Sequence, residues 1–113
     1  ALYLQVRNQI IHGIATLQLQ EGDELPSVRQ MADEIGINMH TVNKAYTVLK
    51  QEGFIQLDRR KGAVISLDMD KLRELQSMRE QMKGILAKGI CKGICKDEVY
   101  ELVNEIYQEY GGE

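Results

Sequence analysis

The chain has 113 residues, enough for one compact domain or a small domain with an appendage, and too few for two ordinary domains. Its 14 basic and 17 acidic side chains give a net charge of −3, which excludes a polybasic arm or an acidic tail. With 43% apolar residues but one Phe and no Trp, the core must be aliphatic, and one Pro with 27% charged residues marks a helix-rich globular chain.

The longest charge-free stretch, Asn8 to Gln20, contains His12, Thr16 and four Asn or Gln. It falls short of the roughly 18 apolar residues of a membrane span. No basic-then-apolar leader is legible, so no signal peptide is expected. Cys91 and Cys95, four residues apart, cannot staple distant parts of a fold, and a reducing, cytoplasmic setting is expected.

Tyr3, Val6, Ile10, Ile14 and Leu17 recur at three- and four-residue steps, which predicts a helix from about Tyr3 to Leu17 with one apolar stripe. Gly13 inside it costs about 1 kcal/mol against Ala, which points to a closely packed neighbour. Glu21-Gly22-Asp23 reads as a turn. Ser27 then opens a short helix through a reciprocal capping box with Gln30, burying Val28, Met31, Ala32 and Ile35 before Gly36 stops it. Asn38 caps a third helix with Val42, Ala45, Tyr46 and Leu49 inside, ended by Gly53. Two helices joined by a tight Gly-containing turn form a helix-turn-helix unit.

Beyond Gly53 the period changes to alternation. Residues 54–58 and 63–67 read as strands around Arg59-Arg60-Lys61-Gly62, a hairpin with a basic tip. Past Leu67 the pattern is helical again. Asp68 or Asp70 can cap a helix with Leu75, Met78, Met82 and Ile85 on a narrow seam, and Lys-Gly-Ile-Cys occurs twice in tandem around Gly89 and Gly93. A last helix from about Lys96 carries Val99, Leu102, Val103, Ile106 and Tyr110 on one face. A two-helix hairpin cannot bury both stripes internally, so pairing with a second copy is expected. The expected architecture is α+β, mostly α: a winged helix-turn-helix domain over 1–67 and a two-helix dimerisation tail over 68–113.

Charge divides along the same line. Residues 1–67 carry seven basic and seven acidic side chains, and residues 68–113 carry seven and ten. Asn38 to Gly62 holds Lys44, Lys50, Arg59, Arg60 and Lys61 against Glu52 and Asp58, a basic patch compatible with a polyanion.

Leu25-Pro26-Ser27-Val28-Arg29, Met31-Ala32, Ile35-Gly36-Ile37, Thr41-Val42, Ala45-Tyr46, Leu49, Glu52-Gly53 and the wing Gly62 resemble the GntR family of bacterial transcription regulators over residues 2–67. The short helical tail resembles the YtrA-type branch, whose members are dimeric and lack a large effector domain. The resemblance implies a homodimeric, sequence-specific regulator, a repressor, on a pseudo-palindromic DNA operator. Contacts would come from Ser27 and Arg29 of the second helix, from Asn38, Met39, His40, Thr41 and Asn43 with Lys44 beside them, and from Lys61 and Gly62 in the wing. Met39 and Asn43 stand where many members carry Arg, which bears on the operator sequence rather than on the docking mode.

Physical chemistry agrees with that reading. Short polar groups on the third helix suit base edges in a major groove, and Arg59, Arg60 and Lys61 suit phosphates. His40 and His12 lie on different helices with no Asp, Cys or second His near in sequence, so no catalytic or metal role is expected, and no cofactor. Cys91 and Cys95 would share a helix face, where they could bind a soft metal or form a redox pair. They read better as small apolar residues, with Cys95 at a helix N-cap. Met78 and Met82 read as interface packing, as do Leu75, Ile85, Val99, Leu102, Ile106 and Tyr110. No small-molecule effector is legible. A reading from another class is a winged module that has lost DNA binding and acts through its tail.

Overall fold

In a computed structural model, which describes residues 1–111, the elements run α1 (Leu2–Ala15), α2 (Val28–Ile35), α3 (Met39–Gln51), β1 (Ile55–Asp58), β2 (Gly62–Ile65), α4 (Lys71–Cys91) and α5 (Lys96–Glu109). The last two residues of the expected tail, 112–113, lie outside the described ones. The result is a mostly helical fold with an antiparallel two-stranded wing. It divides into two units, Ala1–Asp68 and Met69–Glu113. Asp68 goes with the first because its N–H donates to the Gly53 carbonyl at 2.8 Å.

In the first unit α3 packs against both α1 and α2. Val42, Ala45, Tyr46 and Leu49 turn one face of α3 into a core closed by Val6 and Ile10 of α1, Leu25, Ala32 of α2 and Ile55, Ala63 and Ile65 of the wing. Val28 and Met31 pack at its edge, whereas Ile35 is 47% exposed and does not belong to the buried side expected for it. Strand β2 pairs with β1 in the register Ile55 to Ile65 and Asp58 to Gly62. On its other edge Leu25 N–H donates to Ala63 O and Ile65 N–H to Asp23 O, both at 2.8 Å. Arg7 of α1 clamps the end of α3, its guanidinium meeting both Glu52 carboxylate oxygens at 2.6 and 2.7 Å. That bidentate geometry pushes the Arg7 pKa up.

Helix α1 stops earlier than its stripe suggests. Leu17 N–H donates to Ile14 O and Gln18 N–H to Gly13 O, the paired bonds of a Schellman stop, and Leu17 occupies its left-handed position at φ 64°. Leu17 is therefore 72% exposed, and Leu19 folds back in its place. A Cβ on Gly13 would sit 3.1 Å from Leu19 Cδ1, so a larger residue there would require Leu19 to shift by a few tenths of an ångström. An L-residue in the left-handed region carries roughly 1–2 kcal/mol of strain. Leu17→Gly should therefore raise stability by about 0.5–1 kcal/mol, read as a higher urea midpoint at unchanged slope; a lower midpoint would mean that the Leu17 side chain matters more than its backbone.

The second unit is a helical hairpin. Asp70, not Asp68, caps α4, accepting from Arg73 N–H at 3.1 Å. The tandem Lys-Gly-Ile-Cys units adopt different conformations. The first completes α4, and the second is the turn, with Gly93 at φ 81° and Ile94 N–H donating back to Gly89 O at 2.9 Å. Cys91 thus ends one helix and Cys95 stands at the N-cap of the next, so the two thiols do not share a helix face. At Cys95 the helix is capped from within, its N–H donating to Glu98 Oε1 at 3.0 Å, which holds the Glu98 carboxyl below the usual range. No side chain of α4 or α5 is buried. No helix among the described residues is long and apolar enough to cross a membrane.

Candidate nucleic-acid interface

The helix-turn-helix is set by caps at both of its helix starts. Ser27 Oγ accepts from Gln30 N–H while Gln30 Oε1 accepts from Ser27 N–H, each at 3.1 Å, so the capping box is complete. Gly36 ends α2 at φ 69°, and Asn38 Oδ1 then accepts from His40 N–H at 2.6 Å. These contacts fix the entry of α3. Val42, Ala45 and Leu49 point inward, leaving Asn38, Met39, His40 and Asn43 exposed around a shallow depression that Val28 also lines. Thr41 is half-buried beside them, and Arg29 and Ser27 are exposed at the start of α2.

Two residues shape this surface without having been legible as parts of it. Tyr46, expected only in the core, donates its hydroxyl to Pro26 O at 2.7 Å, tying the start of α2 to α3 across twenty residues. Burial, followed by the charge of Glu34, pushes its phenol up to about 12. Stability from the protonated phenol is complete below the unfolded value near 10 and is lost as pH rises from there toward 12, because only the unfolded chain then releases the proton. Tyr46→Phe should cost about 1 kcal/mol at neutral pH and flatten the alkaline loss of melting temperature. Parallel curves for both proteins between pH 9 and about 11 would place the alkaline sensitivity elsewhere. The second residue is Tyr3. Lys44, expected beside the base contacts, rests its ammonium 4.2 Å from the centroid of the Tyr3 ring, so α1 holds it.

In the wing, Asp58 Oδ1 accepts from the backbone N–H groups of Arg60 and Lys61 at 2.7 and 3.0 Å, and these bonds hold its carboxyl below the usual range. An Asp at the start of a turn is a signal the sequence does carry. Its side chain folds the loop so that Arg59, Arg60 and Lys61 are all exposed, and Gly62 leaves it at φ 78° as the first residue of β2. Among the described residues no group of three or more His, Cys, Asp or Glu could hold a metal.

The model of the GntR family of bacterial regulatory proteins matches residues 2–65. The chain belongs to the GntR family. Over 111 residues it is 31% identical to the HTH-type transcriptional repressor YtrA of Bacillus subtilis, covering 96% of this chain and 82% of that one. YtrA from Sulfolobus acidocaldarius, a GntR-family transcription factor, is 36% identical with a TM-score of 0.57, covering 95% and 88%. A protein of Listeria monocytogenes EGD-e described as a transcriptional antiterminator superposes with a TM-score of 0.86 at 31% identity, covering 98% and 85%. This GntR protein is thus of the YtrA type, a DNA-binding transcription regulator and not an enzyme.

In a regulator of this kind the wing cations should act on phosphates. Neutralising Arg59, Arg60 and Lys61 to Gln should weaken specific and random duplexes by similar factors and lower the salt slope by up to ~0.9 per lost contact. A loss confined to one base pair would mean that the wing reads sequence.

Proposed function

We propose that this protein is a cytoplasmic repressor that binds a pseudo-palindromic operator as a homodimer. Each winged unit (residues 1–67) takes one half-site, and the tail (68–113) joins two copies. Asn38, Met39, His40, Thr41 and Asn43 reach base edges, Ser27 and Arg29 contact DNA at the start of α2, and Arg59, Arg60, Lys61 and Gly62 meet the backbone, with Lys44 held at the margin. One observation carries the DNA part of this reading: the exposed polar start of α3, held at both helix starts by complete caps. The repressor role is supported by the name of the Bacillus subtilis relative.

The homodimer is supported by the exposure of the tail's apolar residues, with Leu75 at 59%, Met78 at 42% and Ile106 at 43%. Leu75, Met78, Met82 and Ile85 of α4, with Val99, Leu102, Ile106 and Tyr110 of the second arm, supply the contact. Footprinting of the protein on its own promoter region tests the whole reading. Two protected half-sites separated by whole helical turns are expected, with affinity falling linearly in log–log against salt. Duplex affinity that ignores salt would make the protein a winged module acting through its tail.

A further inference from the structure

The ammonium of Lys44 lies over the face of the Tyr3 ring, 4.2 Å from its centroid. The ring is firmly placed. Tyr3, in the first turn of α1, is half-buried and packs at the edge of the core, and α1 itself is seated on α3 through Val6, Ile10 and the Arg7–Glu52 clamp. Lys44 is exposed on α3, and among the described residues no carboxylate pairs with it. The ring is therefore what holds its charge.

Helical spacing decides where that charge stands. On α3 Asn43 lies one turn beyond Met39, and Lys44 lies one turn beyond His40, on the flank turned toward α1. A lysine there stands beside the ridge that faces the bases, where a duplex offers phosphates. An ammonium has three donors and a ring face engages one side of it, so donors are left for a phosphate oxygen. A lysine on a bare helix loses rotamer freedom when it meets a phosphate, whereas one resting on a ring has lost part of it before DNA arrives.

We propose that Tyr3 is a positioning residue for DNA binding: its ring sets the Lys44 ammonium in place for a backbone phosphate, so that α1 contributes to affinity through Lys44. This rests on the DNA-binding reading above and adds a residue of α1, which the sequence placed only in an apolar stripe.

Binding of the full chain to the promoter fragment footprinted above, and to a mixed-sequence duplex, is titrated against salt for single and double variants. Lys44→Gln should weaken both duplexes and lower the salt slope by about 0.9 for each half-site. Tyr3→Leu should weaken them about two- to fivefold per half-site, the size of an exposed cation–π contact, with the slope unchanged because Lys44 still reaches its phosphate. Tyr3→Phe keeps the ring and should bind within about twofold of the unaltered chain. In the Lys44→Gln background Tyr3→Leu should have no further effect. A purely structural role for Tyr3 would add the same loss in both backgrounds, and that result overturns the proposal. So does tighter binding by Tyr3→Leu, which would mean that the ring holds Lys44 off the DNA. Should Tyr3→Leu lose its helical circular dichroism, 4-cyanophenylalanine at position 3 carries the test, since it keeps the shape of the ring and draws charge from its face. It should weaken binding only where Lys44 is present, and affinity equal to that of Tyr3→Phe overturns the proposal. If Lys44→Gln leaves a clear salt slope unchanged, the Lys44 contact is wrong while the DNA-binding reading stands. If the unaltered chain shows no salt-dependent duplex binding, that reading itself fails.

Discussion

Replacing Met82 and Ile106 together by Asp should give a monomer that binds a full operator about 10²–10⁴-fold more weakly than the unaltered protein, with affinity for an isolated half-site unchanged. The size follows from linkage. Once one winged unit is seated, a tethered second unit meets its half-site at an effective concentration near millimolar, and separating the copies removes that advantage without touching a DNA contact. Met82 lines the α4 groove and Ile106 lies on the α5 stripe, so two carboxylates would enter an apolar contact with no partner for their charge. The winged unit keeps its own core, from Val6 to Ile65, and should melt as before. A double variant that still sediments as a dimer, or a monomer that binds the full operator undiminished, would refute the proposed role of the tail.

The sequence discloses those elements whose signals are local. Ser27 with Gln30 and Asn38 with the start of α3 are caps written within three residues, and the structure shows each bond. The core of α3 was legible for the same reason, since 42, 45, 46 and 49 face one way on any helix. What escaped depends on the chain folding back on itself. Leu17 fits the α1 stripe by spacing, but the helix ends before it and Leu19 covers Gly13 instead. No periodicity anticipates a left-handed leucine. The repeated Lys-Gly-Ile-Cys shows the limit most plainly, because the same four residues end a helix once and form a turn once. Their context decides, through the Schellman bonds that Gly93 accommodates at the end of α4.

The candidate site divides in the same way. Its exposed residues could be read from the helix pattern, whereas the supports could not: Tyr46 reaches Pro26 across twenty residues, and Lys44 is drawn to Tyr3 on another helix. In the tail, stepping by sevens selects Ile85, which is 67% exposed. Leu86, four residues beyond Met82, lines the groove beside it, as the 3.6-residue turn of an α-helix allows.

Base preference should follow Asn43. Its side chain is exposed on α3 at the depression lined also by Asn38, Met39 and His40, where its carboxamide can meet a partner outside the chain. A carboxamide matches the N6 and N7 of adenine, whereas an Arg would take the O6 and N7 of guanine, each pair being worth roughly 1–3 kcal/mol of discrimination. Met39 offers only apolar contact, which suits a thymine methyl. The centre of each half-site should therefore favour A·T pairs, with Arg29 available to one guanine. Asn43→Arg should move one position toward G and raise random-duplex affinity slightly through its added charge. Asn43→Ala should flatten the preference at that same position by about 5- to 150-fold in relative affinity. Selection of binding sites from a randomised duplex pool reads both outcomes at once. If both variants return the unaltered motif, Asn43 does not reach the bases, and the face of α3 that enters the groove must be turned away from it.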